Sequence, residues 1–289
     1  MSKMQLLTVK RNQEGITLVD FLSERLGISK KNAKRLIDAR QVFINTRRTW
    51  MAKHALDSGD RVEVPSQEEL SATQGLSSAR PQIAAVYEAG GLLVVNKPPG
   101  IVSDGEKSVE SALRADRKLP QIRAVHRLDK DTSGCLLFAL NDTVRNEAIA
   151  AFEDLTVEKK YLVIAIGKGQ SERGHRELGL VDQALDGKSA RTRFTVLDSS
   201  PQGTLLEATL ETGRMHQIRR HLAIHQVGIA GDKQYGKQEI SSGLLRGVPR
   251  QMLHAWKLGI PSLGLKVVAP LPADFLEALG QFSLEAPKA

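Results

Sequence analysis

The chain has 289 residues, of which 41% are hydrophobic, and this suits two packed domains. It has 41 Lys and Arg against 33 Asp and Glu, a formal net charge of +8 at pH 7. The positive charge suggests an anionic partner, with nucleic acid as the first candidate. The single cysteine, Cys135, excludes an intrachain disulfide and a cysteine-based zinc site, as expected in a reducing cytoplasm. The first ten residues lack a signal-peptide core, and no stretch approaches the roughly 18 apolar residues of a membrane helix, so we predict a cytoplasmic protein without a membrane partner.

Residues 14–65 predict a first, small domain of two helices followed by two strands. Apolar residues at helical spacing over 18–26 predict the first helix, which Gly27 would end. Ser29 is a favourable N-cap for a second helix over 30–40. Strand-like runs follow at 41–45 and 60–64.

Positive charge is concentrated between residues 30 and 53, where eight Lys or Arg occur with one acid, Asp38. Most charge runs are solvated helix faces, but such faces mix signs, whereas a stripe of one sign suits phosphates. The second helix is therefore predicted to bind nucleic acid through four side chains: Lys30, Lys31, Lys34 and Arg35.

The same segment resembles the S4-like RNA-binding module of ribosomal proteins and RNA-modifying enzymes. The resemblance rests on GISKK at 27–31, VFIN at 42–45 and LDSGDRV at 56–62. It implies a small α/β RNA-binding domain over 1–65. A linker over 66–82 follows, in which Ser, Gln, Ala, Gly and Pro dominate without apolar periodicity.

The remainder, 83–289, predicts a mixed α+β domain, because few short helices occur among many strands. Strand-like runs lie at 92–96, 135–140, 161–166, 191–198 and 204–210, and helical segments at 142–153 and 214–226.

The most informative stretch is HRLDKDTSG at 126–134, which directly precedes the apolar run 135–140. An apolar run bounded by a turn indicates a buried strand, so Asp129 is predicted to lie on a loop that leads into one, where side chains commonly carry chemistry. Taken alone, Asp129 could equally cap a turn or pair with a surface Arg.

Other segments complete a pattern that resembles the RluA-type pseudouridine synthase family. They are LVVNKPPG at 93–100, EKKY at 158–161, GRMHQIR at 213–219, GDKQYG at 231–236, LHAWKL at 253–258 and APLP at 269–272. The resemblance spans roughly 83–280 and implies a largely antiparallel sheet with flanking helices. It also implies an enzyme that isomerises uridine in RNA without metal or organic cofactor, with large-subunit ribosomal RNA as first target and transfer RNA as second.

The resemblance assigns the catalytic residues. Asp129 would be the catalytic carboxylate, and Arg219 the cation that keeps it charged, since a planar guanidinium grips a carboxylate and stays protonated. Tyr161 would stack on the extruded base and is the family's suspected base for the final ring proton, although a Tyr at this position could simply be core. Arg127 would hold the nucleotide flipped out.

Three more side chains are predicted to bind substrate: Lys97 and His126, beside the family motifs, and Arg214, as a phosphate contact. Two stretches depart from the family pattern. A His often follows the NKPxG segment, but VSDG stands here at 102–105, and the segment 259–264 is shortened.

Alternatives remain open. His216, His221 and His225 could suggest a metal, but without nearby acidic or cysteine ligands RNA contacts or packing are the preferred interpretation, and no metal is predicted. A non-catalytic RNA-binding or ribosome-assembly factor would share the basic helix but has no need of the catalytic set. An S4-like methyltransferase would need a Gly-rich loop after an early strand, whereas Gly90 and Gly91 precede theirs. A monomer is the default expectation.

Overall fold

The computed structural model describes residues 4–38, 41–49, 51–66, 83–167, 179–236, 245 and 248–287, without the side chains of residues 35, 38, 47, 48 and 167. The chain divides into two compact units, Met1–Arg80 and Pro81–Ala289. The division falls within the predicted linker, of which 67–82 lie outside the described residues. The domain limits and the S4-like assignment therefore stay predictions. No helix within the described ranges is long and apolar enough to cross a membrane.

The first unit pairs two helices with a small antiparallel sheet. The helices are α1 (Leu18–Leu26) and α2 (Lys30–Asp38), and the strands, in the order β1-β4-β2-β3, are β1 (Met4–Thr8), β2 (Phe43–Ile44), β3 (Arg47–Arg48) and β4 (Arg61–Pro65). Gly27 ends α1 in the left-handed conformation at φ 62°. Ser29 caps α2, accepting from the Asn32 amide at 3.2 Å. Both helix boundaries predicted at 27–29 are thus confirmed.

The strands of this unit differ from the prediction. Asn45 was assigned to a strand over 41–45, but Asn45 and Thr46 have φ values of 49° and 69°. Two consecutive residues at positive φ form the tight turn of a β-hairpin, so β2 is shorter and β3, which was not predicted, pairs with it.

The second unit is built on an eleven-stranded sheet within the described ranges, with the path β10-β11-β12-β9-β14-β8-β6-β5. The path strands are β5 (Ala84–Ala89), β6 (Leu92–Lys97), β8 (Ser133–Ala139), β9 (Glu158–Gly167), β10 (Leu180–Asp182), β11 (Arg191–Ser199), β12 (Thr204–Leu210) and β14 (Leu253–Ile260). The strands that branch from it are β7 (Arg123–Ala124), β13 (Val227–Ile229) and β15 (Leu265–Val268). Neighbours are antiparallel except β14 and β8, so the predicted mixed, largely antiparallel sheet is confirmed.

Four helices flank this sheet in the described part of the chain: α3 (Val109–Arg117), α4 (Asp142–Glu153), α5 (Gln217–Ile224) and α6 (Ala273–Gln281). The predicted helix 142–153 is confirmed, and the one predicted at 214–226 is shorter. Helices α3 and α6 and strands β5, β14 and β15 were not predicted.

Side-chain alternation along β9 gives the two sheet faces different neighbours. Leu162 and Ile164 pack in the cluster that contains Phe275 of α6. Tyr161 and Val163 point to the opposite face, where α5 packs through Leu222. Tyr161 therefore shares a face with the helix that carries Arg219.

The centre of the sheet depends on one glycine. Gly134 has φ 112°, and a Cβ there would overlap the backbone of Ala255 on the parallel neighbour β14. Only a residue without Cβ lets β8 and β14 approach closely here, immediately after the Asp129 loop.

We expect Gly134→Ala to lower the free energy of unfolding by more than about 3 kcal/mol, because positive-φ strain adds to a backbone overlap. Gly105→Ala is the matched control, since Gly105 has φ 89° with nothing within 4 Å of the added Cβ. It should cost only about 1 kcal/mol. Urea denaturation measures both, and equal losses would contradict the close-approach argument.

Candidate active site

The loop that carries Asp129 is fixed from behind through its own backbone. The Ser103 hydroxyl accepts from the Leu128 amide at 2.9 Å and donates to the Leu128 carbonyl at 3.0 Å. Buried Arg250 donates through Nη1 to the Asp131 carbonyl at 3.0 Å. With consecutive backbone groups bound, the loop presents the Asp129 side chain in one orientation.

Lys97, predicted to bind substrate, belongs to these fastenings. It is fully buried, and its Nζ donates to the carbonyls of Pro98, Ile101 and Lys130 at 2.9, 2.7 and 2.9 Å. Burial, and next the charge of Arg250, lower the pKa of Lys97 to about 7. This ammonium group ties the turn after β6 to the Asp129 loop, and contact between Lys97 and substrate stays a prediction.

Asp129 lies at one end of a chain of charges. Arg219 Nη1 donates to Asp129 Oδ2 at 3.0 Å, while its Nε and Nη2 donate to the two carboxylate oxygens of Asp232 at 2.7 and 3.0 Å. The bidentate grip of Asp232 fixes the guanidinium plane, so the remaining nitrogen points at Asp129. The predicted pair Asp129–Arg219 is present, and Asp232 is an addition.

Asp232 holds Arg219 because its own environment keeps it ionised. Its side chain is wholly buried, which would raise its pKa, but the hydrogen bonds and charge of Arg219 and the amides of Gln234 and Tyr235 outweigh burial and lower it. The Tyr235 ring lies 4.9 Å from the Arg219 guanidinium carbon and covers it. The GDKQYG motif at 231–236 thus supplies the two residues, Asp232 and Tyr235, that position the Arg219 guanidinium.

Tyr161 and Asp129 line the same pocket, whose volume is about 110 Å³. Burial, and next the charge of Asp129, raise the pKa of Tyr161 well above its ordinary value, so the side chain is a neutral phenol at physiological pH. The other lining residues are Arg127, Leu128, Thr132, Leu210, Gly213, Arg214, His216, Gln217, Ile218, Arg219 and Leu253. A pocket with aromatic and aliphatic walls, a carboxyl group and cationic edges suits a flat, polar ring attached to an anionic chain.

Two arginines that are predicted to bind substrate have exposed side chains. Arg127 has 77% of its side chain exposed, and its Nε is 3.2 Å from Asp104 Oδ1. Asp104 belongs to the stretch 102–105 that departs from the family pattern. Exposed Arg214 donates through Nε to the Ser189 carbonyl at 3.0 Å. Both are among the residues that line the pocket.

His126, the other predicted substrate-binding residue, is turned the opposite way. Its Nε2 accepts from the Leu137 amide at 3.1 Å, and its ring stacks on Phe152 at 5.0 Å. Burial, and next the charge of Lys159, lower the pKa of His126 to about 4, so the ring is neutral. His126 supports β8 and is not among the residues that line the pocket, and its contact with substrate stays a prediction.

The predicted RNA-binding side chains of the first unit are only partly described. Lys31 and Lys34 are exposed, whereas the Lys30 Nζ lies 2.7 Å from Asp20 Oδ1. The side chain of Arg35 lies outside the described part. Their contacts with RNA stay predictions, as do the catalytic roles of the residues in the pocket.

Sequence reasoning missed His216, Asp232 and Tyr235 as parts of the site. His216 was assigned to RNA contacts or packing, yet its Nε2 lies 3.6 Å from Asp129 Oδ1. The signals were present, because all three residues stand in the motifs at 213–219 and 231–236. His221, by contrast, is buried and bonded to Thr192 and Gln183, which is a packing role.

Comparisons with known proteins all find similarity to pseudouridine synthases. Residues 91–224 match the family described as RNA pseudouridylate synthase. Ribosomal large subunit pseudouridine synthase C of Vibrio vulnificus is 31% identical over 88% of this chain and 87% of its own length. The D-type enzyme of Nitrosomonas europaea is 29% identical over 94% and 86%. Among solved structures, human RNA pseudouridylate synthase domain containing 4 superposes with a TM-score of 0.59 at 25% identity, over 75% of this chain and 98% of its own.

We expect Asp232→Asn to destabilise the protein by about 3–5 kcal/mol at pH 7, because it leaves Arg219 buried without its main partner. The pKa of Asp232 is lower when folded, so the wild type has this stabilisation above about pH 4 and loses it as the pH falls further. The difference between the two free energies of unfolding should therefore narrow below pH 4. Urea denaturation across pH measures it, and a constant difference would contradict this ionisation.

Proposed function

Since the chain belongs to the RNA pseudouridylate synthase family, we propose that it converts uridine to pseudouridine in large-subunit ribosomal RNA, with Asp129 as its catalytic carboxylate. The enzyme is an isomerase that acts on RNA. The ribosomal target is taken from its relatives, because the C-type and D-type enzymes that match most of this chain are both named for the large subunit.

One contact carries the catalytic part of the proposal: Asp129 Oδ2 lies 3.0 Å from Arg219 Nη1 inside the pocket. The reaction separates uracil from the ribose at ring nitrogen N1 and rejoins it at ring carbon C5. A carboxylate beside the sugar can act as nucleophile or base only when ionised, and the guanidinium keeps it so after water has left. Since Arg219 occupies one oxygen, Oδ1 is the atom left to react.

The target nucleotide must leave its stack before it reaches Asp129, which costs a few kcal/mol. We assign the filling of the vacated position to Arg127, whose long, exposed side chain stands at the entrance. Tyr161 provides a flat apolar wall for the base. Its raised pKa favours stacking as a neutral phenol over removal of the ring proton in the free enzyme.

Further parts of the proposal concern the setting of the reaction. We propose that the carboxylate chemistry uses neither metal nor organic cofactor, and that the chain acts as a monomer in the cytoplasm. We also propose that exposed Lys31 and Lys34 of α2 bind RNA phosphates, which would make the first unit a contributor to affinity and not to the chemical step.

A non-catalytic RNA-binding factor would share the basic surface. It has no use for an ionised carboxylate held beside a guanidinium in a pocket, and substitution of Asp129 separates the two functions.

We expect Asp129→Asn to abolish pseudouridine formation in large-subunit ribosomal RNA, because the amide keeps the size of the side chain but removes the charge that reacts. Affinity for the RNA should change less than about threefold, since a single contact of the bound nucleotide is altered. Pseudouridine mapping and filter binding measure the two quantities. Retained turnover would refute the role of Asp129. If the wild-type enzyme modified transfer RNA and not ribosomal RNA, the proposed substrate would be wrong and transfer RNA would replace it.

We expect the double substitution Lys31→Gln and Lys34→Gln to weaken RNA binding. The slope of log affinity against log salt should also become less negative by roughly one to two, because binding with fewer phosphate contacts releases fewer counterions. The matched control is Lys118→Gln with Lys266→Gln, two exposed lysines of the second unit. An unchanged slope in the first pair would argue against RNA binding by α2.

A further inference from the structure

His216 occupies the start of α5 in an unusual backbone conformation. Its φ of 54° lies in the left-handed region, which non-glycine residues adopt infrequently. The conformation turns its ring towards the pocket, with Nδ1 3.2 Å from the Tyr235 hydroxyl and Nε2 3.6 Å from Asp129 Oδ1. Both ring nitrogens thus face named partners, and the strained backbone is retained where it positions a side chain at the reacting group.

The surroundings of His216 favour a proton on Nε2 over a lone pair there. An unprotonated Nε2 would direct its lone pair at the Asp129 carboxylate, which is repulsive, whereas Nε2–H directs a positive dipole at it. Nδ1 then carries the lone pair and accepts the hydrogen of the Tyr235 hydroxyl. Tyr235 is itself fixed, because its ring covers the Arg219 guanidinium.

The Nε2–H group is available to a ligand. At 3.6 Å from Oδ1 it lies beyond a normal hydrogen bond, so Asp129 does not use it. We infer that His216 is a further catalytic residue, whose Nε2–H donates a hydrogen bond to a carbonyl oxygen of uracil while the base is detached from the ribose. This inference rests on the proposed function of the pocket.

The chemistry of detachment calls for such a donor. When the bond between N1 and C1′ breaks, uracil keeps the electron pair and becomes an anion, with charge spread over N1 and the oxygens O2 and O4. C1′ is left short of that pair, which Asp129 supplies either by bonding to C1′ or by removing the proton of C2′, and this change is reversed when C5 bonds to C1′. The C5 proton then leaves to solvent and N1 takes one up, so the net reaction is an isomerisation. A fixed donor is most favourable while the charge exists, and His216 itself exchanges no proton.

Two amide substitutions of His216 test whether a donor is needed at the position of Nε2 or whether any polar side chain suffices. The amide nitrogen of His216→Gln can reach the place of Nε2, whereas that of His216→Asn reaches only the place of Nδ1. We expect His216→Asn to lower the single-turnover rate about 100-fold at saturating RNA, and His216→Gln about 10-fold, with affinities within about threefold of wild type. Asn also tolerates the left-handed conformation, which guards against misfolding.

Tyr235→Phe tests the tautomer, because it keeps the ring over Arg219 and removes only the hydroxyl. It should slow the reaction about 10-fold. Exposed Glu277, on α6 at the opposite face of the sheet, is the control, and Glu277→Gln should leave the rate unchanged. A His216→Asn enzyme within threefold of the wild-type rate would overturn the inference, and so would a loss of affinity alone.

Thiouridine substrates test the contact directly. Sulfur accepts hydrogen bonds poorly, so 2-thiouridine or 4-thiouridine at the target should slow the wild-type enzyme, and the effect should disappear in His216→Asn. Equal thio effects in both enzymes would contradict the contact.

Side-chain ¹⁵N NMR of the free protein gives a readout that does not depend on turnover. We expect the His216 proton on Nε2 in the wild type and a tautomer mixture in Tyr235→Phe, and a wild-type proton on Nδ1 would overturn the inference. Absence of pseudouridine with the wild-type enzyme would instead refute the proposed function, so the two failures are distinguishable.

Discussion

The buried chain of charges from Asp232 through Arg219 to Asp129 is the interaction on which the site depends. The Asp232 and Arg219 side chains are buried, so each requires the charge of the other, and Asp232 also requires the amides of Gln234 and Tyr235. This requirement fixes one guanidinium nitrogen at Asp129. Asp129, whose side chain is only partly exposed, thereby has a cationic partner inside the pocket.

The sheet supplies the second constraint, which is the position of the Asp129 loop. Gly134 lets β8 lie against β14 immediately after the loop, while Ser103, Lys97 and Arg250 bind its backbone from three other segments. These side chains do not touch the pocket, yet they determine where it is. Tyr161 reaches the same place for a separate reason, the alternation of side chains along β9, so the site joins elements that are far apart in the sequence.

Much of this arrangement was predictable, and the failures have physical causes. Local signals gave the two helices of the first unit, the strand after the Asp129 loop and helix 142–153, and family resemblance gave Asp129, Arg219 and Tyr161 as one set. The surroundings of Lys97 and His126 could not be predicted, because a charged or polar residue in a motif suggests an exposed contact, whereas hydrogen bonds to backbone groups of other segments are not visible in one sequence. Strand β5 could have been found, since Gly90-Gly91 is a strong hairpin turn. His216 and Asp232 could not be ranked, because only the fold brings them beside Asp129 and Arg219.

The ion pair between Arg127 and Asp104 affects how freely the Arg127 side chain moves before RNA binds. Both side chains are largely open to solvent, so the contact contributes at most about 1 kcal/mol and weakens as ionic strength rises. Asp104 therefore holds the Arg127 side chain only weakly, and a stronger anion such as a phosphate displaces it. The strength with which Asp104 holds Arg127 is therefore a property that the salt concentration adjusts.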